Sequence, residues 1–118
     1  MAMMTELEAV KQYQAFYERN YTNSLTALRD NFDNFITRAN EQGQMYFIAS
    51  WEDFQIEHHD KYATWSAIKE HFIVECIEKG YDIGFAYDDI VKQYPSGLIV
   101  CWGNNKTEKR QELEQLYI

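Results

Sequence analysis

A chain of 118 residues has room for one domain built around one core, and 16% aromatic content excludes a disordered chain. No run approaches the roughly 18 apolar residues of a membrane-spanning helix. The formal net charge of −8 repels nucleic-acid phosphates and anionic membranes, so direct binding to either is not expected.

The chain opens Met1-Ala2-Met3-Met4, an apolar stretch too short for a targeting segment. Thr5-Glu6-Leu7-Glu8 fits a capping box and starts a first helix. Leu7, Val10, Tyr13 and Tyr17 then recur at helical spacing. Asn20 to Asn23 read as a break, with Asn23 or Ser24 as the next N-cap. Leu25, Leu28, Phe32, Phe35 and Ala39 form the clearest apolar stripe in the chain, and Gly43 suits a helix end. Two helices with so short a connection should pack as a hairpin. Tyr13, Tyr17 and Tyr21 share a face, read as the hairpin seam in preference to a recognition surface.

Met45 to Ala49 is a short continuous apolar run, expected to form a strand buried on both faces. The stretch Trp51 to Asp60 has two readings. Ser50 and Asp53 could cap a short helix, and Phe54, Ile56 and His58 could alternate along a strand; the helical or irregular reading is favoured. Residues 61 to 79 predict a helix on the stripe Trp65, Ile68, Phe72 and Cys76, supported by Ile73 and Ile77 and ended by Gly80. Tyr81 to Tyr87 alternates as a half-buried strand, with Ile83, Phe85 and Tyr87 on one side and Asp82, Gly84 and Ala86 on the other. One helical turn is expected within 88–94, followed by a Pro95-Ser96-Gly97 turn. Leu98 to Trp102 is the clearest strand. The charged tail from Thr107 predicts a helix docked through Leu113, Leu116 and Tyr117.

The order αα-β-(α)-α-β-β-α implies an α+β fold, with an N-terminal helical hairpin and further helices on a sheet of about three strands. One domain spans 1–118. Two cysteines, Cys76 and Cys101, are too few for a disulfide framework. With no signal peptide apparent, reduced thiols in a cytoplasm are the expectation, although a Cys76–Cys101 bridge stays open.

The acidic excess is local. Residues 51–100 hold ten acids against four Lys and Arg, whereas residues 101–118 balance at three and three. Glu52, Asp53, Glu57 and Asp60 run without an intervening base, and Asp82, Asp88 and Asp89 form a second group. With Trp51, Phe54, Tyr81 and Tyr87 among them, these residues read as a partner-binding surface. Aromatics would supply buried area there, and carboxylates would supply steering.

Catalytic and metal constellations are weak. Glu57-His58-His59-Asp60 is rich in ligand types, but adjacent histidines diverge on either a helix or a strand. His71 and Glu75 lie one turn apart, yet Cys76 beside them falls on the apolar stripe. A Cys101–His71 pair is conceivable, but both thiols lie in apolar segments that raise their pKa. No glycine pattern cradles phosphate. No metal or cofactor is expected.

The composition therefore points to a small acidic inhibitor that occludes the basic cleft of a partner protein, a toxin or a host enzyme. Immunity proteins and phage anti-defence proteins share this profile, and DNA mimicry is a variant of it. The competing expectation is a small enzyme or ligand-binding domain, with His58, His59, His71 and Asp82 around a pocket.

Overall fold

A computed structural model describes residues 3–54, 62–86 and 97–117. It is α+β, with helices on both faces of a three-stranded antiparallel sheet. In chain order the elements are α1 (Glu6–Glu41), β1 (Tyr46–Ser50), a 3-10 turn (Trp51–Phe54), α2 (Tyr62–Glu78), β2 (Asp82–Ala86), β3 (Gly97–Cys101) and α3 (Lys106–Glu114). A last 3-10 turn, Gln115–Tyr117, follows α3.

The expected helical hairpin is replaced by one continuous helix of 36 residues. Asn20 to Asn23 are poor helix formers, each costing about 0.5 kcal/mol, but none is a glycine or proline. The apolar stripe also keeps its phase through them. At 100° per residue, Leu7, Val10, Tyr17, Tyr21, Leu25, Leu28, Phe32, Phe35 and Ala39 lie within an arc of about 80°. Packing of the later part of that stripe outweighs the local propensity. Thr5 caps the start, its hydroxyl oxygen accepting the Glu8 N–H at 3.2 Å. Gly43, at φ +77°, ends the helix in a Schellman motif: Gln44 N–H reaches the Ala39 carbonyl at 2.9 Å and Gly43 N–H reaches Asn40 at 3.0 Å. Gly80 closes α2 in the same way, with Tyr81 N–H on the Cys76 carbonyl at 3.1 Å.

The strand order is β1-β3-β2. Phe47, Val100 and Ile83 lie in register on one face, and Tyr46, Cys101 and Asp82 on the other. The first face joins Leu25, Leu28 and Phe32 of α1 and Ile68, Phe72 and Cys76 of α2 in the main core. The second face carries a smaller core of Ile99, Cys101 and Ala86 under Leu113 of α3. A continuous apolar run belongs to β3, the central strand, where every residue is buried. The same reading fails for β1. It is an edge strand whose burial alternates, and Ile48 is 37% exposed because α3 packs over β2 and β3.

In β2 the expected sidedness is partly reversed. Gly84 and Ala86 are buried, whereas Phe85 on the other face is 36% exposed. The missing side chain accounts for the burial of Gly84: a Cβ there would meet Glu114 Oε1 at 2.9 Å and Arg110 Cγ at 3.0 Å, so glycine lets α3 approach closely.

The tail helix docks through Leu113, while Leu116 is exposed. In α2, Ile68, Phe72 and Cys76 are buried as expected, but Ile77 is exposed. The turn expected within 88–94 and the Pro95-Ser96 step lie outside the described residues. Among the described residues, no helix is long and apolar enough to cross a membrane.

Candidate functional site

The 3-10 turn after β1 forms because Ser50 and Asp53 satisfy each other's backbone. Ser50 N–H donates to Asp53 Oδ2 at 2.9 Å, and Asp53 N–H donates to the Ser50 hydroxyl at 3.2 Å. This agrees with the helical reading of residues 51–54. Asn31 on α1 ties the turn down, its side-chain amide donating to the Phe54 carbonyl at 2.5 Å. Phe54 is consequently sealed in the core against Phe35 and Phe72, and Trp51 is buried beside it. Neither ring stands out as an exposed anchor, which corrects the expected surface of aromatics among acids. Glu52 and Asp53 on the same turn are exposed.

Asp82 is not brought to these two acids. Ser50, Gly97 and Ala86 share one end of the sheet, whereas Asp82 is paired with Cys101 at the far end and lies on the α3 side. There its Oδ1 is 2.9 Å from Arg110 Nε, and Arg110 also pairs with Glu114. Burial pushes the Asp82 carboxyl up, but hydrogen bonds from Thr107 and Arg110 outweigh this and hold it below its ordinary value. Asp82 is thus a strut between β2 and α3. Glu57, Asp60, Tyr87, Asp88 and Asp89 lie outside the described residues.

At the Trp51 end the structure offers a groove that the sequence reading did not assemble. It encloses about 320 Å³ and is lined by Trp51, Ser66, Lys69, Glu70, Ile73, Val74 and Phe85. Val74 and Phe85 form an exposed apolar floor. Lys69 Nζ lies 5.3 Å from the centre of the Trp51 ring, and burial lowers its pKa. Glu70 borders the groove, and Glu52 and Asp53 directly follow Trp51. One signal in the sequence marks it: Val74 is an apolar residue off the buried stripe of α2.

The pocket expected around His71 and Asp82 does not form, because the sheet lies between them: His71 is on α2 and Asp82 faces α3. His71 sits on the outer side of α2, its Nδ1 at 3.0 Å from the Tyr21 hydroxyl. Asp82 belongs to the opposite layer. His58 and His59 lie outside the described residues. The sheet equally divides the thiols: Cys76 packs beneath α1, and Cys101 packs beneath α3. Both are free and buried, which excludes a bridge between them in this fold. Burial pushes Cys76 up to about 12 and Cys101 up to about 11, so neither thiol is a nucleophile near neutral pH. Among the described residues, no three His, Cys, Asp or Glu side chains are grouped to hold a metal ion.

Comparison with protein-family models, with curated proteins and with solved structures gave no match to this chain.

Proposed function

We propose that this chain is a small acidic protein-binding inhibitor, and that it grips a basic, partly apolar element of its partner in the groove beside Trp51. The observation that carries this reading is an exposed apolar floor, Val74 and Phe85, bordered by Glu70 and adjoining the exposed Glu52 and Asp53. The apolar floor supplies buried area, and the carboxylates steer a cationic partner towards it. An immunity protein to a toxin, or a phage protein that blocks a host defence enzyme, would work in this way. It would occlude a cleft and carry out no chemistry of its own.

Phosphate mimicry is less well supported. Arg29 pairs with Glu75 at 2.8 Å, Lys109 approaches Glu112 at 3.6 Å and Arg110 pairs with Asp82, so cations are distributed among the acids. A protein-specific patch fits that mixture better than a band of phosphate-like charge.

The test uses a partner captured from the cells that make the protein. Its association rate is expected to fall at least about tenfold between roughly 20 mM and 500 mM NaCl. Phe85→Ser is expected to raise the dissociation rate with little change in association. An association rate indifferent to salt would refute the reading.

A further inference from the structure

The first fifteen residues of α1 have no counterpart in the body of the molecule. Burial along the helix begins at Leu25, whereas Leu7 is 63%, Tyr13 66% and Phe16 55% exposed. The molecule is accordingly 62 Å long and 21 Å thick. The exposed stretch is nevertheless structured as a contact surface. Leu7, Val10, Tyr17 and Tyr21 continue the arc that Leu25, Leu28 and Phe32 use to bury themselves. Tyr13, Tyr17 and Tyr21 form a ladder with ring centres 6.4 and 6.2 Å apart, and Tyr21 closes onto His71 at 5.8 Å. A helix of this length with one apolar face normally has that face covered along its whole length.

We infer that a second copy of this chain covers it, through antiparallel pairing of the two projecting halves of α1 about a twofold axis near Gln14. Three observations select this occupant. First, the charge excess that would attract a foreign basic partner is absent here. Residues 5–21 hold Glu6, Glu8 and Glu18 against Lys11 and Arg19, a balance of −1 within a chain of −8. Second, Lys11 and Glu18 stand two turns apart on the same edge of the stripe. Antiparallel pairing sets each Lys11 opposite the other copy's Glu18, twice per dimer. Third, a parallel partner on this face would run into the body at Leu25, where the stripe is already occupied. An antiparallel partner instead ends near Tyr21. There its Leu7 end meets an open shelf where Ala67, His71 and Val74 of α2 are flanked by Glu70, Glu75 and Glu78 and by Arg29 of α1.

The contact is modest. Sixteen helical residues span about 24 Å, and the pair with its two shelves buries on the order of 1,000 Å² in total, the lower bound of a specific interface. The dimer is therefore expected to be reversible and to depend on concentration. This inference rests on the projecting half of α1; its shelf shares Glu70 and Val74 with the groove beside Trp51, so its test uses substitutions on α1 alone.

Sedimentation equilibrium of the full chain from about 1 to 500 μM provides the test. The mass is expected to rise from the monomer value of 14.1 kDa towards twice that value. Val10→Glu with Tyr17→Glu is expected to remain monomeric throughout, with the monomer's far-UV spectrum and melting temperature retained, because neither side chain is part of the core. Lys11→Glu alone and Glu18→Lys alone are each expected to weaken the dimer severalfold, and the two together to restore it. A monomer at every concentration overturns the inference. So does a dimer that survives Val10→Glu with Tyr17→Glu, and so does failure of the double charge reversal to restore pairing.

Discussion

Replacing Gly84 with valine tests the layer between β2 and α3. A Cβ at position 84 would lie 2.9 Å from Glu114 Oε1, 3.0 Å from Arg110 Cγ and 3.1 Å from Glu114 Cγ, against the 3.5–4.0 Å of ordinary carbon contacts. The Glu114 carboxylate can swing away, but the Arg110 stem cannot do so while its guanidinium stays on Asp82. Alanine alone is expected to be nearly neutral, because the entropy gained over glycine in a strand, about 0.5–1 kcal/mol, offsets the crowding. Valine adds two methyls to the same gap. It should force α3 outward at a net cost of about 1–3 kcal/mol, a fall in Tm of roughly 5–15 °C for a chain of this size. Thermal unfolding by circular dichroism measures that cost, and thiol labelling locates it. Lifting α3 should expose Cys101 and speed its modification, while Cys76, beneath α1, keeps its native rate. A valine variant as stable as the parent, with Cys101 still protected, would show that α3 does not seat on Gly84.

Leu28 is fully enclosed between α1 and the sheet, so Leu28→Ala should cost about 2–5 kcal/mol by urea titration; a loss below 1 kcal/mol would mean the helix is not packed there. Acid should destabilise the fold partly through Asp82, whose pKa is depressed in the native state. Its contribution is present above the unfolded value near 4 and is lost as pH falls through the native value, so the stability gap between the parent and Asp82→Asn should close in acid. A gap that stays constant from neutral pH to pH 2 would contradict the strut. Gly80→Ala should cost about 1 kcal/mol for conformational reasons alone, since φ is +99° and nothing lies within 4 Å of the added carbon; a neutral effect would deny the Schellman end of α2.

Periodicity and glycine placement made most of the fold legible. The stripes of α1 and α2, the ends at Gly43 and Gly80, the Ser50–Asp53 turn and the three strands all rest on local rules. What local rules could not decide was phase and coverage. Asn20 to Asn23 looked like a break because propensity is read residue by residue. The helix runs through because Tyr17, Tyr21 and Leu25 remain in one arc. Phe85 shares the face of Ile83, yet it is 36% exposed where it lines the groove beside Trp51, and alternation alone does not say how far α2 covers that end of the strand. The candidate site suffered most from this limit. Charge and aromatic content located an acidic stretch beginning at Trp51, but the direction each ring faces depends on tertiary contacts. Asn31 holding the Phe54 carbonyl is one such contact, and no pattern in residues 51–60 records it.

The most direct measurement is a paired capture experiment from the native host. The parent chain and the variant Val74→Asp with Phe85→Asp, matched for folding by circular dichroism, serve as baits, with the projecting-helix variant Val10→Glu with Tyr17→Glu as control. The parent and the control should each retain the same basic protein, and the groove variant should lose it. Equal retention by all three baits, or a retained partner that is itself acidic, would contradict binding through the groove beside Trp51.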